Sequence, residues 1–158
     1  MKRYIYSLFT AIVAMFTLSG CLSHGLDELD TYDGADITGL QGIYYRYIDE
    51  SSTNPGSGEH KVCQVTLARA ISIDKENCLV ELLFQEPSNF PADQLPYLSA
   101  SNLVVVLNIS TAATIEPLDG APRLGVPGDW SKANQYKVTA ANGDSKIWTV
   151  TMEYVPRN

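Results

Sequence analysis

The sequence predicts an all-β fold, an antiparallel sandwich, and three observations carry that reading. Short apolar or alternating segments recur between turn signals, at 43–48, 62–67, 78–84, 103–107, 136–140 and 146–154. Eight prolines and eleven glycines are spread along the 158 residues, so turns are frequent everywhere. Past residue 20 no window of ten residues keeps the 3.6-residue apolar period of an amphipathic helix. With 45% apolar and 18% charged residues, the chain suffices for one globular domain and not two.

The first element is a leader. Met1, Lys2 and Arg3 form a short cationic start, and the mostly apolar stretch 4–18 is shorter than the roughly twenty residues a membrane-spanning helix needs. Leu18, Ser19, Gly20 and Cys21 follow, and together they resemble the bacterial lipobox, in which a branched apolar residue and two small ones precede a cysteine. That resemblance implies a lipoprotein signal peptide over 1–20, cleaved to leave a lipidated Cys21. At about 0.8 kcal/mol per buried CH₂, two or three acyl chains make the anchor effectively permanent. Leu22 is not the Asp that marks inner-membrane retention, so the expected location is the outer membrane of a Gram-negative bacterium, with the facing side left open.

Residues 21–39 read as the lipidated cysteine and a flexible acidic tether. Asp27, Glu28, Asp30, Asp33 and Asp36 meet no base there, and no period of 2 or 3.6 is sustained. Coil scaling gives such a segment a reach of roughly 25 Å. Asp30, Asp33 and Asp36 lack the frame and distal Glu of a calcium loop, so no metal is expected.

Residues 40–158 are expected to form the single domain. Ile43-Tyr44-Tyr45-Arg46-Tyr47-Ile48 is an aromatic strand, followed by a Ser-, Asn-, Pro- and Gly-rich loop over 49–60. Residues 62–67 and 71–73 supply further strand, residues 74–77 a turn, and residues 78–84 the next strand. Three prolines in 87–96 exclude helix and central strand. Leu103-Val104-Val105-Val106-Leu107 is apolar on both faces, as in a strand buried between layers. Residues 117–127 are a turn-rich connection, and two alternating strands end the chain.

The last two strands fix their own register. A two-residue Asn142-Gly143 loop would pair Tyr136 with Thr149 and send Trp148 to the other face. A three-residue loop, Ala141-Asn142-Gly143 with Gly143 left-handed, pairs Ala140 with Asp144 and sets Tyr136 opposite Trp148. Only the second unites Tyr136, Val138, Trp148 and Val150 on one face.

Residues 99–153 resemble the C-terminal half of Ig-like domains found in Bacteroidetes surface lipoproteins. The matching phrases are Ala113-Thr114-Ile115-Glu116-Pro117, then Gly125-Val126-Pro127-Gly128-Asp129-Trp130-Ser131, then Tyr136-Lys137-Val138-Thr139-Ala140-Ala141-Asn142-Gly143-Asp144, and Trp148-Thr149-Val150. Residues 78–84 are similar to the preceding strand of those domains, and 40–73 match loosely. The resemblance implies an Ig-like β-sandwich. It carries no chemistry, and only an associational hint of glycan-handling neighbours.

Composition and motifs narrow the function classes. Losing residues 1–20 removes Lys2 and Arg3 and no acid, leaving 9 bases against 18 acids, a net charge of −9. That balance excludes nucleic acid as a partner, because phosphate binding needs a basic face. No catalytic residue is assigned. His24 lies in the tether and His60 in a Gly-rich loop, and no H-E-x-x-H, G-x-S-x-G or phosphate loop occurs. Glu81 with Glu86, or Asp129 with Glu153, could form a glycosidase pair, but nothing in their spacing selects them. No cofactor is implied. Cys63 and Cys78 are an even pair in an exported chain, which permits a disulfide if the strand between them breaks near Ala70; buried free thiols are the alternative.

The best functional signal is aromatic. Tyr44, Tyr45, Arg46 and Tyr47, with Trp130 as a second platform, are candidates for stacking on a sugar ring. Strand and core packing would equally account for them. The expected function is therefore a lipid-anchored, non-catalytic envelope module that binds a glycan or a partner protein. A structural or spacer subunit of a surface assembly is the alternative, and a small hydrolase ranks behind both.

Overall fold

Alternation of large apolar and small polar side chains, with turns every few residues, leaves the chain one way to hide its aromatic residues: between two sheets. A computed structural model describes residues 31–157. Among these, nine strands form: β1 (Ile37–Thr53), β2 (His60–Thr66), β3 (Ala68–Asp74), β4 (Leu79–Gln85), β5 (Leu103–Ile109), β6 (Thr114–Leu118), β7 (Pro127–Gly128), β8 (Asn134–Thr139) and β9 (Ser145–Tyr154). Sheet A has the order β2-β1-β5-β7, and sheet B the order β3-β4-β9-β8-β6. The fold is the expected β-sandwich. The signal peptide, Leu18, Ser19, Gly20, Cys21, His24 and most of the tether lie outside the described residues.

Inward positions alternate along the strands. Val80, Leu82 and Phe84 of β4, Tyr136 and Val138 of β8, and Trp148 and Val150 of β9 face Ile43 and Tyr45 of β1 and Leu103 and Val105 of β5 in one buried cluster. The polar tips of the large aromatics are satisfied by backbone, as their burial requires. Trp130 Nε1 donates to the Leu103 carbonyl at 3.0 Å, Trp148 Nε1 to Ala35 at 3.0 Å, and the Tyr136 hydroxyl to Pro122 at 2.7 Å.

The β8–β9 hairpin has the three-residue loop read from its sequence. Tyr136 pairs with Trp148 and Val138 with Lys146. Ala140 N donates to the Asp144 carbonyl at 2.8 Å, and Gly143 has φ +93°.

Four features differ from expectation. The tether ends early, because Ala35 and Ile37 are already buried in the core and β1 starts at Ile37, not 40. Strand β1 also runs on to Thr53 into the region read as loop, since β2 pairs with it back to His60. Pro117 lies within β6, where an edge position removes the need for its missing N–H. The pairing of β4 with β9 is parallel, from Leu79 opposite Thr149 to Phe84 opposite Tyr154; all other pairings are antiparallel. The connection between β4 and β9 visits sheet A, which gives the chain length that a parallel neighbour requires.

The break between strands falls at Leu67, buried and donating its N–H to the Ile43 carbonyl at 2.9 Å, where the chain passes from sheet A to sheet B. Cys63 and Cys78 are nonetheless free thiols, so the disulfide is not formed. Cys63 opposes Tyr47 in sheet A. Cys78 closes the turn before β4, with φ +53° and its thiol directed at the Lys75 carbonyl, 3.8 Å away.

Candidate functional site

Strand periodicity splits the aromatic cluster of β1 across two faces. Tyr44 and Arg46 lie on the outer face of sheet A. Tyr44 covers Gly42, where any Cβ would collide with its ring, and Arg46 Nε donates to Gln64 Oε1 at 2.8 Å. Tyr45 and Tyr47 point the other way, with ring centroids 6.0 Å apart and planes inclined by 21°.

Burial removes two of the expected stacking platforms. Tyr45 is 4% exposed and Trp130 fully buried. Trp130 stacks on Tyr136 inside the sandwich, its ring centroid 6.0 Å away, so neither Tyr45 nor Trp130 can receive a ligand. Tyr47 remains half-buried, at the point where the β1–β2 hairpin runs past the core.

The segment 86–102 lies against that hairpin. Its prolines, read as excluding helix and central strand, organise a staircase of tight turns. Phe90 N donates to Pro87 O, Gln94 N to Pro91 O and Tyr97 N to Gln94 O, each at 3.0 Å. Phe90 and Leu98 anchor the staircase in the core, and Phe90 sits 5.5 Å from the Tyr45 ring. Between the anchors the turns hold Tyr97 outward, 70% exposed.

Hairpin and staircase together enclose a cleft of about 420 Å³, lined by Tyr47, Ile48, Asp49, Glu50, Ser51, Asp93, Gln94 and Tyr97. That volume falls in the range of about 300–1,000 Å³ typical of small-ligand sites. The cleft is braced from beneath: the buried Tyr45 hydroxyl donates to Gln94 Oε1 at 3.3 Å, and Gln94 Nε2 donates to Asp93 Oδ2 at 2.9 Å. Asp49 Oδ1 accepts from the Ser51 N–H at 3.0 Å and from the Ser51 hydroxyl at 2.6 Å. These bonds, a further one from the Ser52 hydroxyl and the nearby Lys61 ammonium hold the Asp49 carboxyl below the usual aspartate range. Burial, with Tyr97 and Asp93 nearby, raises the Tyr45 phenol.

Of the stacking residues proposed from sequence, only Tyr47 reaches this cleft. Tyr97, Gln94 and Asp93 carry no sequence signal apart from their proline-rich context. A second groove of about 530 Å³ crosses sheet B, where Ala70, Ser72, Glu81, Leu83, Thr151 and Glu153 line it without an aromatic residue. The other acids considered for catalysis are engaged locally. Glu86 accepts from the Tyr154 hydroxyl at 2.7 Å, and Asp129 from the Ser131 hydroxyl at 2.6 Å. Asp36, weighed for a calcium loop, pairs with Lys146 at 2.6 Å and Lys75 at 3.7 Å. Among the described residues no group of three or more His, Cys, Asp or Glu is placed to hold a metal ion.

Residues 37–151 match the family described as DUF5018-related, a span that takes in the N-terminal strands as well as the motifs of the C-terminal half. The chain is similar to a "putative secreted protein" of Bacteroides fragilis, with 38% identity and a TM-score of 0.68 over 79% of this chain and 98% of that one. A "putative glycoside hydrolase" of Bacteroides thetaiotaomicron aligns at 20% identity with a TM-score of 0.43, and the alignment spans only 28% of that protein. No curated protein sequence matches the chain.

Proposed function

The chain belongs to the DUF5018-related family, and from that premise and the cleft we propose that it is an exported, non-catalytic recognition module that binds a glycan. One observation carries the reading: the exposed Tyr97 and the half-buried Tyr47 line one cleft together with Asp49, Asp93 and Gln94. A flat phenol ring suits the C–H face of a pyranose, and carboxylates and amides suit its hydroxyls. Export rests on the leader sequence and on the likeness to the B. fragilis protein. Lipidation at Cys21 would hold the module on the outer membrane. In this reading the cleft recognises without cleaving, and the Asp49 carboxyl, held low by its hydrogen bonds, is unsuited to the part of a glycosidase acid.

A glycan array followed by calorimetry on residues 22–158 tests the proposal. Binding that disappears in Tyr97→Ala, with the melting temperature unchanged, is the expected result. Undiminished binding by that variant would move the site elsewhere. Retention of no glycan at all would favour the second reading, a structural subunit, for which the exposed Leu79, Leu83 and Ile147 of sheet B are the specific observation.

A further inference from the structure

We propose that the cleft selects sugars bearing a free, protonated amino group over their neutral and acidic counterparts, an inference that rests on its reading as a glycan site.

The hydrogen-bond inventory points there. Several donors within or beneath the cleft are spent inside it: the Ser51 hydroxyl on Asp49, one N–H of Gln94 Nε2 on Asp93 and the Tyr45 hydroxyl on Gln94. The second Gln94 N–H and the Tyr97 hydroxyl remain. What the cleft offers in excess is acceptor capacity. Asp93 Oδ1 makes no hydrogen bond within the described residues, and Asp49 and Glu50 add two further carboxylates. No Lys or Arg is among the lining residues; Lys61, paired opposite Asp49 on β2, is the base that faces the cleft's outer strand. A ligand rich in donors therefore suits the cleft, and a uronic acid or sulfated sugar would meet net repulsion from three carboxylates against one lysine. An ammonium brings three N–H donors and a positive charge. Its bonds to carboxylates are charge-assisted, and the faces of Tyr47 and Tyr97 attract a cation where a neutral hydroxyl gains little.

The experiment is calorimetry with four β-1,4-linked tetramers, of glucosamine, N-acetylglucosamine, glucose and galacturonic acid. It is run at a pH where the amine is protonated, on the wild type and on Asp93→Asn, Glu116→Gln and Tyr97→Ala. Glu116 lies exposed on β6, outside the cleft, and controls for general attraction to an acidic surface. The glucosamine tetramer should bind at least about tenfold more tightly than the glucose tetramer, with galacturonate weakest. Asp93→Asn should bring that ratio below about threefold, and Glu116→Gln should preserve the ratio. Tyr97→Ala should weaken every tetramer. Equal binding of the amine and neutral tetramers, or an equal loss of preference in Glu116→Gln, would overturn the selectivity and leave the glycan site standing. Binding of no tetramer would overturn both.

Discussion

Trp148 of β9 donates its indole N–H to the carbonyl oxygen of Ala35, 113 positions earlier in the chain, at 3.0 Å. The same N-terminal segment is held from the other sheet: Ser110 N donates to the Asp36 carbonyl at 2.9 Å, and Asp36 N donates to Ser110 Oγ at 3.1 Å. The entry of the chain into the domain is thus sewn to both layers. Trp148→Phe strips the Ala35 carbonyl of its buried donor and leaves space behind. A loss of about 2–3 kcal/mol is expected. Urea denaturation should show a lower midpoint with an unchanged slope; a loss under about 1 kcal/mol would contradict the role given to this bond.

Gly143 tests the hairpin register. Its φ is +93°, yet a Cβ there would meet nothing within 4 Å, so any cost of substitution is conformational and not steric. A β-branched residue tolerates that region poorly, whereas Asn visits it. Gly143→Val should cost about 1–3 kcal/mol, and Gly143→Asn clearly less. Equal thermal midpoints for the two variants would be inconsistent with the backbone described.

Tyr45 offers a separation of fold from recognition. Tyr45→Phe keeps the buried ring and its contact with Phe90 but frees Gln94 from the hydroxyl that orients it. The stability change should stay within about 1.5 kcal/mol, the usual range for one hydrogen bond. Affinity for whatever sugar the cleft holds should fall several-fold. Unchanged affinity would mean that Gln94 takes no part in binding.

Acid stability should depend on Glu86. Its carboxylate accepts from the Tyr154 hydroxyl at 2.7 Å and from Arg157 N at 3.1 Å, and the first of these chiefly draws its pKa below the ordinary 4.5. A carboxyl with a lowered folded value contributes stability that is complete above its unfolded value. The contribution is lost as pH falls through the folded one. The melting temperature should therefore drop as pH is lowered past 4.5, and Glu86→Gln should flatten that slope while lowering the midpoint at neutral pH. Parallel pH profiles for the two proteins would show that Glu86 does not contribute.

Both free thiols can be counted directly. Folded residues 22–158, whose cysteines are Cys63 and Cys78, should release two equivalents to a thiol reagent on denaturation without reductant, and reductant should leave the melting temperature unchanged. A count near zero would restore the disulfide.

What could be read from sequence was whatever local chemistry determines. The register of the last hairpin follows from Gly143 and the alternation around Tyr136 and Trp148, because one slip would turn every side chain over. The buried β5 followed from five apolar residues in a row. Alternation, however, names a face without saying whether water lies beyond it. Tyr45 and Tyr47 share a face and a residue type, and only the staircase 86–102 makes one a buried brace and the other a wall of the cleft. Tyr97 sits among prolines that signal only an irregular backbone, so its exposure was not legible. The length of β1 was hidden because Ser51, Ser52 and Thr53 pair or bend according to what β2 does. The parallel neighbour of β4 lies some seventy residues away, beyond any local pattern.

The central place of β9 in sheet B has a kinetic consequence. It is the last described strand, yet it separates β3–β4 from β8–β6. Neither half can join the other before residues 145–154 are available, and loop closure over that span must come before its contacts offset the cost. Folding should thus be slow and cooperative, with half-sheets that stay open until the final strand docks.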